Sequence, residues 1–345
     1  MLESSSLDIL KNKKNLLAFS AGVDSTALFF LLLQNNIKFD IAIVNYNVRK
    51  QSEEELKYAH ELASIHNLTI HSFNAPKIDK NFEANAREIR YYFFEQLIKT
   101  YGYENLITAH HLGDRFEWML MQFCKGAGCA EIAGMQSLQK REAYTLVRPL
   151  LKLDKKELFA YLHANNIKYF QDESNLDEDI KRNSFRHSYA SPLLERYLDG
   201  IKKSFDYLDE DRASLVQEVQ VQNIKDFAYF KKLHSKRADI FLIDKYLKSQ
   251  HYMLSASERE QLKTQNSAVV GRKFLVIQEK DFVFIVPCSE SDFHTPRVFP
   301  RNGSGRMPKE FKEECRVLKI SPKLRPYLYK NEEAFLKIKE LLRSV

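Results

Sequence analysis

An alternation in the first half of the chain constrains its fold more than any other feature. Four short apolar runs, Leu16 to Phe19, Asp40 to Val44, Thr69 to Phe73 and Leu106 to Ala109, are each followed by a longer stretch of helical periodicity. Parallel strands need a crossover between them, usually a helix, so this order predicts an open parallel sheet with helices on both faces. Local start signals agree: Ser52 with Glu55 reads as a capping box for the second helix, and Asp154 opens an amphipathic segment through Asn165. Near residue 190 the pattern changes. Ser191-Pro192 reads as a helix start leading towards Asn223, residues 224 to 265 read as helical with a capping box at Ser255 and Glu258, and Lys273 to Pro287 reads as two strands around Glu279-Lys280-Asp281. The expected division is an α/β catalytic domain over residues 1–195, a helical segment over 196–265 and a small mixed α/β module over 266–345.

Composition narrows the class. A chain of 345 residues, 44% of them hydrophobic, can bury the cores of about two domains. The net charge of +7 favours a polyanionic partner such as nucleic acid only where basic groups cluster. They do so in the tail, where Lys231, Lys232, Lys236, Arg237, Arg272 and Lys273 interleave with Phe230 and Phe274. Cys124, Cys129, Cys288 and Cys315 form no Cys-x-x-Cys pair, which argues against zinc or an iron–sulfur cluster and fits buried free thiols in a reducing compartment. The first residues are acidic where a signal peptide is basic, and the longest apolar run, Ala27 to Leu33, is too short to span a bilayer. A cytoplasmic protein without membrane contact is expected.

The first strand enters its helix through Ser20-Ala21-Gly22-Val23-Asp24-Ser25. Unpaired N–H groups at a helix start, with the helix dipole, attract an anion; Gly22 permits close approach and Ser20 and Ser25 add hydroxyl donors. No lysine follows as in a Walker-type phosphate loop. Asp24 would repel a bare phosphate, so the anion is expected to arrive with magnesium that this carboxylate helps hold. An ordinary capped turn is the bland alternative. The six residues resemble the pyrophosphate loop, Ser-Gly-Gly-x-Asp-Ser, of ATP pyrophosphatases that split ATP into AMP and pyrophosphate. Ala21 stands for the first glycine, tolerable unless that position needs a positive φ.

Three further segments carry chemistry-bearing residues. His110-His111-Leu112-Gly113-Asp114-Arg115-Phe116-Glu117 follows the fourth strand, at the sheet edge where such folds bind ligands; Asp114 and Glu117 share a helix face and suit magnesium, and His110 suits proton transfer or phosphate contact. Glu83, Arg87 and Arg90 share a helical stripe, and Lys181 through His187 concentrates guanidinium and amide groups after Asp172-Glu173-Ser174-Asn175. Each alone also has a bland reading, as a capped helix start or a solvated basic face.

In this order the segments resemble the tRNA(Ile)-lysidine synthase family over residues 15–195. The matches are Glu83, Arg87, Arg90 and Tyr91; His110, His111, Asp114 and Glu117; Lys125-Gly126-Ala127-Gly128; Arg148-Pro149-Leu150-Leu151; and Asp172, Ser174 and Asn175 with Arg182, Asn183, Arg186 and His187. Departures are Arg115 for glutamine, Trp118 for threonine, Lys125 for arginine, and Tyr46-Asn47-Val48-Arg49 for His-Gly-Leu-Arg.

The resemblance implies an adenine nucleotide alpha hydrolase-like (PP-loop) fold and an ATP-dependent ligase that joins free L-lysine to carbon 2 of the wobble cytidine of a CAU-anticodon tRNA(Ile), through an adenylated tRNA. It implies ATP binding by Ser20, Ala21, Gly22, Val23, Asp24 and Ser25, and magnesium at Asp24 and Asp114. Catalytic roles would fall to Asp24, Arg90, His110, Asp114, Glu117 and Arg182. Substrate contacts would come from Arg87, Arg90, Lys125, Asp172, Asn175, Arg182, Asn183 and Arg186, with tRNA backbone on the basic tail and a homodimer left open. No organic cofactor is implied. The alternatives are a tRNA thiolase of the same superfamily and a non-catalytic nucleotide- or RNA-binding module.

Overall fold

The computed structural model describes residues 1–47, 51–171, 181–215, 221–233, 235–279, 281–288 and 307–343. These fall into two compact units, Met1–Arg212 and Ala213–Val345.

The first unit runs α1 (Ser4–Leu10), β1 (Asn15–Ala18), α2 (Val23–Gln34), β2 (Asp40–Asn45), α3 (Gln51–Ile65), β3 (Ile70–Asn74), α4 (Phe82–Tyr101), β4 (Asn105–Ile107), α5 (Leu112–Phe123), α6 (Cys129–Ile132), β5 (Leu138–Lys140), β6 (Thr145–Val147) and α7 (Lys155–Ala164). Then come α8 (Lys181–Phe185), a π-helical turn over Arg186–Ala190 and α9 (Ser191–Leu215). The sheet order is β3-β2-β1-β4-β6-β5, parallel except for the edge strand β5, which pairs antiparallel with β6.

Successive strand residues point to opposite faces, and both faces are covered. Leu17, Ile41, Ile43, Ile107 and Val147 pack with Ala27, Leu28, Leu31 and Leu32 of α2 and Leu158 and Leu162 of α7. Their neighbours Leu16, Ala42, Leu106 and Leu146 pack with Phe94, Leu97 and Ile98 of α4. This is why the strands read as continuous apolar runs. The chain winds from β1 to β3 on one side and restarts at β4 on the other, so a crevice opens beyond the carboxyl ends of β1 and β4.

The second unit holds β7 (Gln222–Ile224), β8 (Phe227–Lys231), α10 (Lys236–Ser249), α11 (Ala256–Thr264), β9 (Ser267–Val270), β10 (Phe274–Gln278), β11 (Phe282–Pro287), α12 (Lys309–Val317), α13 (Arg325–Lys330) and α14 (Glu332–Arg343). Its antiparallel sheet, ordered β7-β8-β11-β10-β9, carries α10 and α11 against one face and α12 to α14 against the other.

Some local expectations change. Residues 224 to 265 are not wholly helical: Phe227 to Phe230 are all buried in β8, because helices cover both faces of its sheet and remove the polar alternation that marks a strand. Ser52 lies inside α3, where Gln51 Nε2 donates to Glu55 Oε1, so it is not the cap. Ser191 continues a helical path that includes Lys181–Phe185 and Arg186–Ala190, and Asn223 lies in a strand, Gln222–Ile224, rather than at the end of a helix. Asp154 and Ser255 do cap α7 and α11, each through a capping box. Cys124 is exposed rather than buried. No helix among the described residues is long and apolar enough to cross a membrane.

Candidate active site

A cavity of about 230 Å³ occupies the crevice at the ends of β1 and β4. Ser20, Gly22, Asp24 and Ser25 line one side, His110 and Asp114 another, and Tyr46, Arg87, Arg90 and Tyr91 a third. The loop after β1 is knitted by Ser25: its Oγ accepts from Ser20 N at 3.2 Å, lies 3.1 Å from Ser20 Oγ, and donates to the Gly22 carbonyl at 3.2 Å. Gly22 precedes α2, and no side chain caps that helix, so its first N–H groups are left to a ligand. Phe170 closes the loop from behind, its N–H donating to the Ala21 carbonyl at 3.0 Å.

Ala21 has φ +57° and is fully buried, while Gly22 sits at φ −73°, which any residue adopts. The residue that bears left-handed backbone is therefore the one with a methyl group. Gly22 lines the cavity, and its missing side chain leaves that stretch of wall bare.

Two devices hold α5. Gly113 N donates to His111 Nδ1 at 3.0 Å, and His111 N donates to Asp114 Oδ2 at 3.0 Å. With Nδ1 accepting, the Nε2 proton of His111 faces Asp114 Oδ2 at 3.6 Å and Asp24 Oδ2 at 3.9 Å. The second device is a cluster of two carboxylates and two guanidinium groups. Arg182 donates to Asp114 Oδ1 at 2.6 Å and to Glu117 Oε2 at 3.0 Å, and Arg186 donates to Glu117 Oε1 at 2.6 Å and Oε2 at 3.1 Å.

Electrostatics follow from burial and these partners. Burial opposes ionisation of Asp114, but His111, Arg182 and His110 outweigh it and hold the carboxyl well below its usual range. Burial pushes His110 down to about 4, against the pull of Asp114 and with Arg148, Arg87 and Arg182 adding to the fall. The ring is thus neutral at pH 7, with Nδ1 3.0 Å from Thr108 Oγ1.

The sequence-read residues therefore separate. Ser20, Gly22, Asp24, Ser25, Arg87, Arg90, His110 and Asp114 converge on one cavity. Val23 and Ala21 belong to the core beneath it. Glu117 does not line the cavity; both its oxygens are engaged by arginines, which its position beside Asp114 on one helix face had concealed. Asn183 is buried and Lys125 exposed, neither lining the cavity. Asp172 and Asn175 lie outside the described residues. Sequence reading gave no role to Tyr46, whose hydroxyl donates to the Ala86 carbonyl at 2.8 Å, or to Lys155, whose Nζ lies 3.9 Å from Asp24 Oδ2. Both follow parallel strands at their carboxyl ends, so strand order was the signal.

Whether the site fits a divalent cation turns on Asp24. Its Oδ1 is buried without a hydrogen-bond partner, and Asp114 is ionised nearby, which suits a hard ion that brings its own phosphate oxygens and water. Among the described residues no group of three or more His, Cys, Asp or Glu side chains forms a resident metal site.

Comparison with known proteins adds to this geometry. Residues 2–193 match the model of the PP-loop domain family. The chain is 44% identical over 324 residues to the tRNA(Ile)-lysidine synthase of Helicobacter pylori, covering 94% of this chain and 91% of that one. It is 42% identical over 327 residues to that of Campylobacter jejuni, covering 94% and 95%. Among solved structures, the U34-tRNA thiolase NcsA from Methanococcus maripaludis superposes with a TM-score of 0.51 at 17% identity, covering 62% of this chain and 76% of that one, a likeness of fold alone.

Proposed function

The chain belongs to the tRNA(Ile)-lysidine synthase family, ATP-dependent ligases of the PP-loop class, and from that premise we propose that it joins free L-lysine to carbon 2 of the wobble cytidine in a CAU-anticodon tRNA(Ile). The observation that carries this reading is the convergence of the α2 N-terminus, Asp24, Asp114 and two exposed cavity arginines, Arg87 and Arg90, on one crevice.

In the proposed reaction the cytosine O2 attacks the α-phosphorus of ATP, pyrophosphate leaves, and the ε-amine of lysine then displaces AMP. The free N–H groups of α2 and the hydroxyls of Ser20 and Ser25 would hold the leaving pyrophosphate. Asp24, whose Oδ1 is unpartnered, would hold magnesium, with Asp114, whose oxygens already accept from His111 N and Arg182, adding negative charge beside it; the ion when bound neutralises charge building on the phosphates. Between Arg90 and Arg182, Arg90 is the better candidate to meet charge at the α-phosphate: it lines the cavity, whereas Arg182 is already gripped by Asp114 and Glu117. His110, neutral at pH 7, is suited to hydrogen bonding and poorly suited to keep the proton of an incoming ammonium. The basic groups of the second unit would contact tRNA backbone, and a homodimer is left open.

The test incubates the protein with ATP, magnesium, radiolabelled lysine and an unmodified CAU-anticodon tRNA(Ile) transcript, then digests the RNA and weighs the labelled nucleoside. Label joined to cytidine with AMP and pyrophosphate released supports the reading. Pyrophosphate release without lysine transfer points to another nucleophile, and neither event favours a binding module.

A further inference from the structure

Trp118 is the chain's one tryptophan, and it sits on α5 one helical turn beyond Asp114 and next to Glu117. It is 45% exposed. Folding does not require so large an apolar ring at the surface, yet this ring is held in place. A Cβ at Gly134 would lie 2.8 Å from Trp118 Cδ1, and Gly134 has φ +65°, so one edge of the indole rests on backbone that only glycine supplies there.

That backing is itself anchored. The carbonyl of Ala133 accepts from Arg115 Nε at 3.0 Å and Nη2 at 2.8 Å. Arg115, almost wholly buried, also forks onto Asp209 of α9 at 2.5 and 3.0 Å and lies 4.2 Å over the Phe205 ring. The residue following Asp114 thus fixes the segment that supports Trp118. Arg182 and Arg186 grip Glu117, the residue before Trp118, and Lys125 is exposed in the loop after α5. Phe123 at the end of α5 is exposed as well.

We infer that Trp118 is a stacking platform for an unpaired nucleobase of the anticodon loop, next to the base that enters the cavity. The inference rests on tRNA being the substrate. A base reached in a single-stranded loop is read by aromatic faces, and its flanking phosphates need cations close by. A half-exposed ring with rigid backing one turn from Asp114 meets the first need, and Lys125, exposed in the loop after the same helix, is a cation for the second.

Because Trp118 is the only tryptophan, its fluorescence reports the contact directly. The full-length protein is titrated with an unmodified CAU-anticodon tRNA(Ile) transcript while emission and filter retention of labelled RNA are followed together. Stacking predicts quenching that saturates with the filter curve, and loss of quenching when one loop nucleotide is made abasic although the RNA is still retained. Trp118→Ala should raise KM for tRNA about ten-fold and leave KM for ATP as in wild type, and Trp118→Phe should recover most of the loss. RNA binding with unchanged emission, or a wild-type KM for tRNA in Trp118→Ala, overturns the platform while lysidine formation stands. Failure of the wild-type protein to bind the transcript or transfer lysine overturns the proposed function and the platform with it.

Discussion

Ala21 shows how a single residue can hold an unfavourable backbone conformation without visible cost. Left-handed φ costs an L-residue about 1–2 kcal/mol relative to glycine. Its fully buried methyl contributes about 0.8 kcal/mol of burial, and glycine would lose about 0.5–1 kcal/mol more chain entropy on folding. These terms nearly cancel. Ala21→Gly should therefore shift stability by less than about 1 kcal/mol in urea titrations and leave ATP affinity as it is; a gain above about 2 kcal/mol would show unrelieved strain. His110 carries a pH signature. Its folded pKa, about 4, lies below the ordinary value of 6.5, so the unfolded chain binds more protons between these limits. The stability tied to its neutral form is whole above pH 6.5 and is lost as pH falls towards 4, by about 2 kcal/mol at pH 5. Compared with His110→Gln by urea unfolding at pH 7 and pH 5, the wild type should lose that much more.

At the scale of elements, α5 is the beam on which the candidate site rests. Its cap orients His111 towards two carboxylates, its Glu117 docks α8 and the π-helical turn, and its Arg115 docks α9. Glu117 is buried, and removing its charge leaves Arg186 and Arg182 short of the partner that offsets their desolvation. Breaking a buried pair costs about 3–5 kcal/mol, and the partial exposure of Arg182 places Glu117→Gln at the low end, near 3 kcal/mol. Denaturant unfolding of the variant measures this. A loss under about 1 kcal/mol would show that the cluster behaves as a surface ion pair.

At the scale of the molecule, each unit buries its own sheet on both faces, so each has the core an independent domain needs. A fragment of residues 1–220 should unfold cooperatively and bind ATP with wild-type affinity in equilibrium dialysis. In filter assays it should bind tRNA more weakly and with a shallower dependence on salt, because the tail's lysines and arginines are gone. Equal salt slopes for fragment and full chain would remove the tail from the tRNA-binding surface.

The amino-acid order by itself determined the α/β architecture, because apolar runs and helical periods are local patterns that the backbone obeys wherever parallel strands are covered on both faces. It also located the loops after β1 and β4, since the ligand crevice follows from strand polarity. Tertiary structure alone decided how side chains divided their labour. Glu117 looked like a partner of Asp114 for a metal, yet it meets arginines 65 and 69 positions away. Arg115 looked like a departure from a motif, yet its partner Asp209 lies 94 residues on. β8 looked helical because both its faces are buried and the alternation that identifies a strand needs one face in water. Pairings over such separations depend on which elements pack together, and no local pattern encodes that.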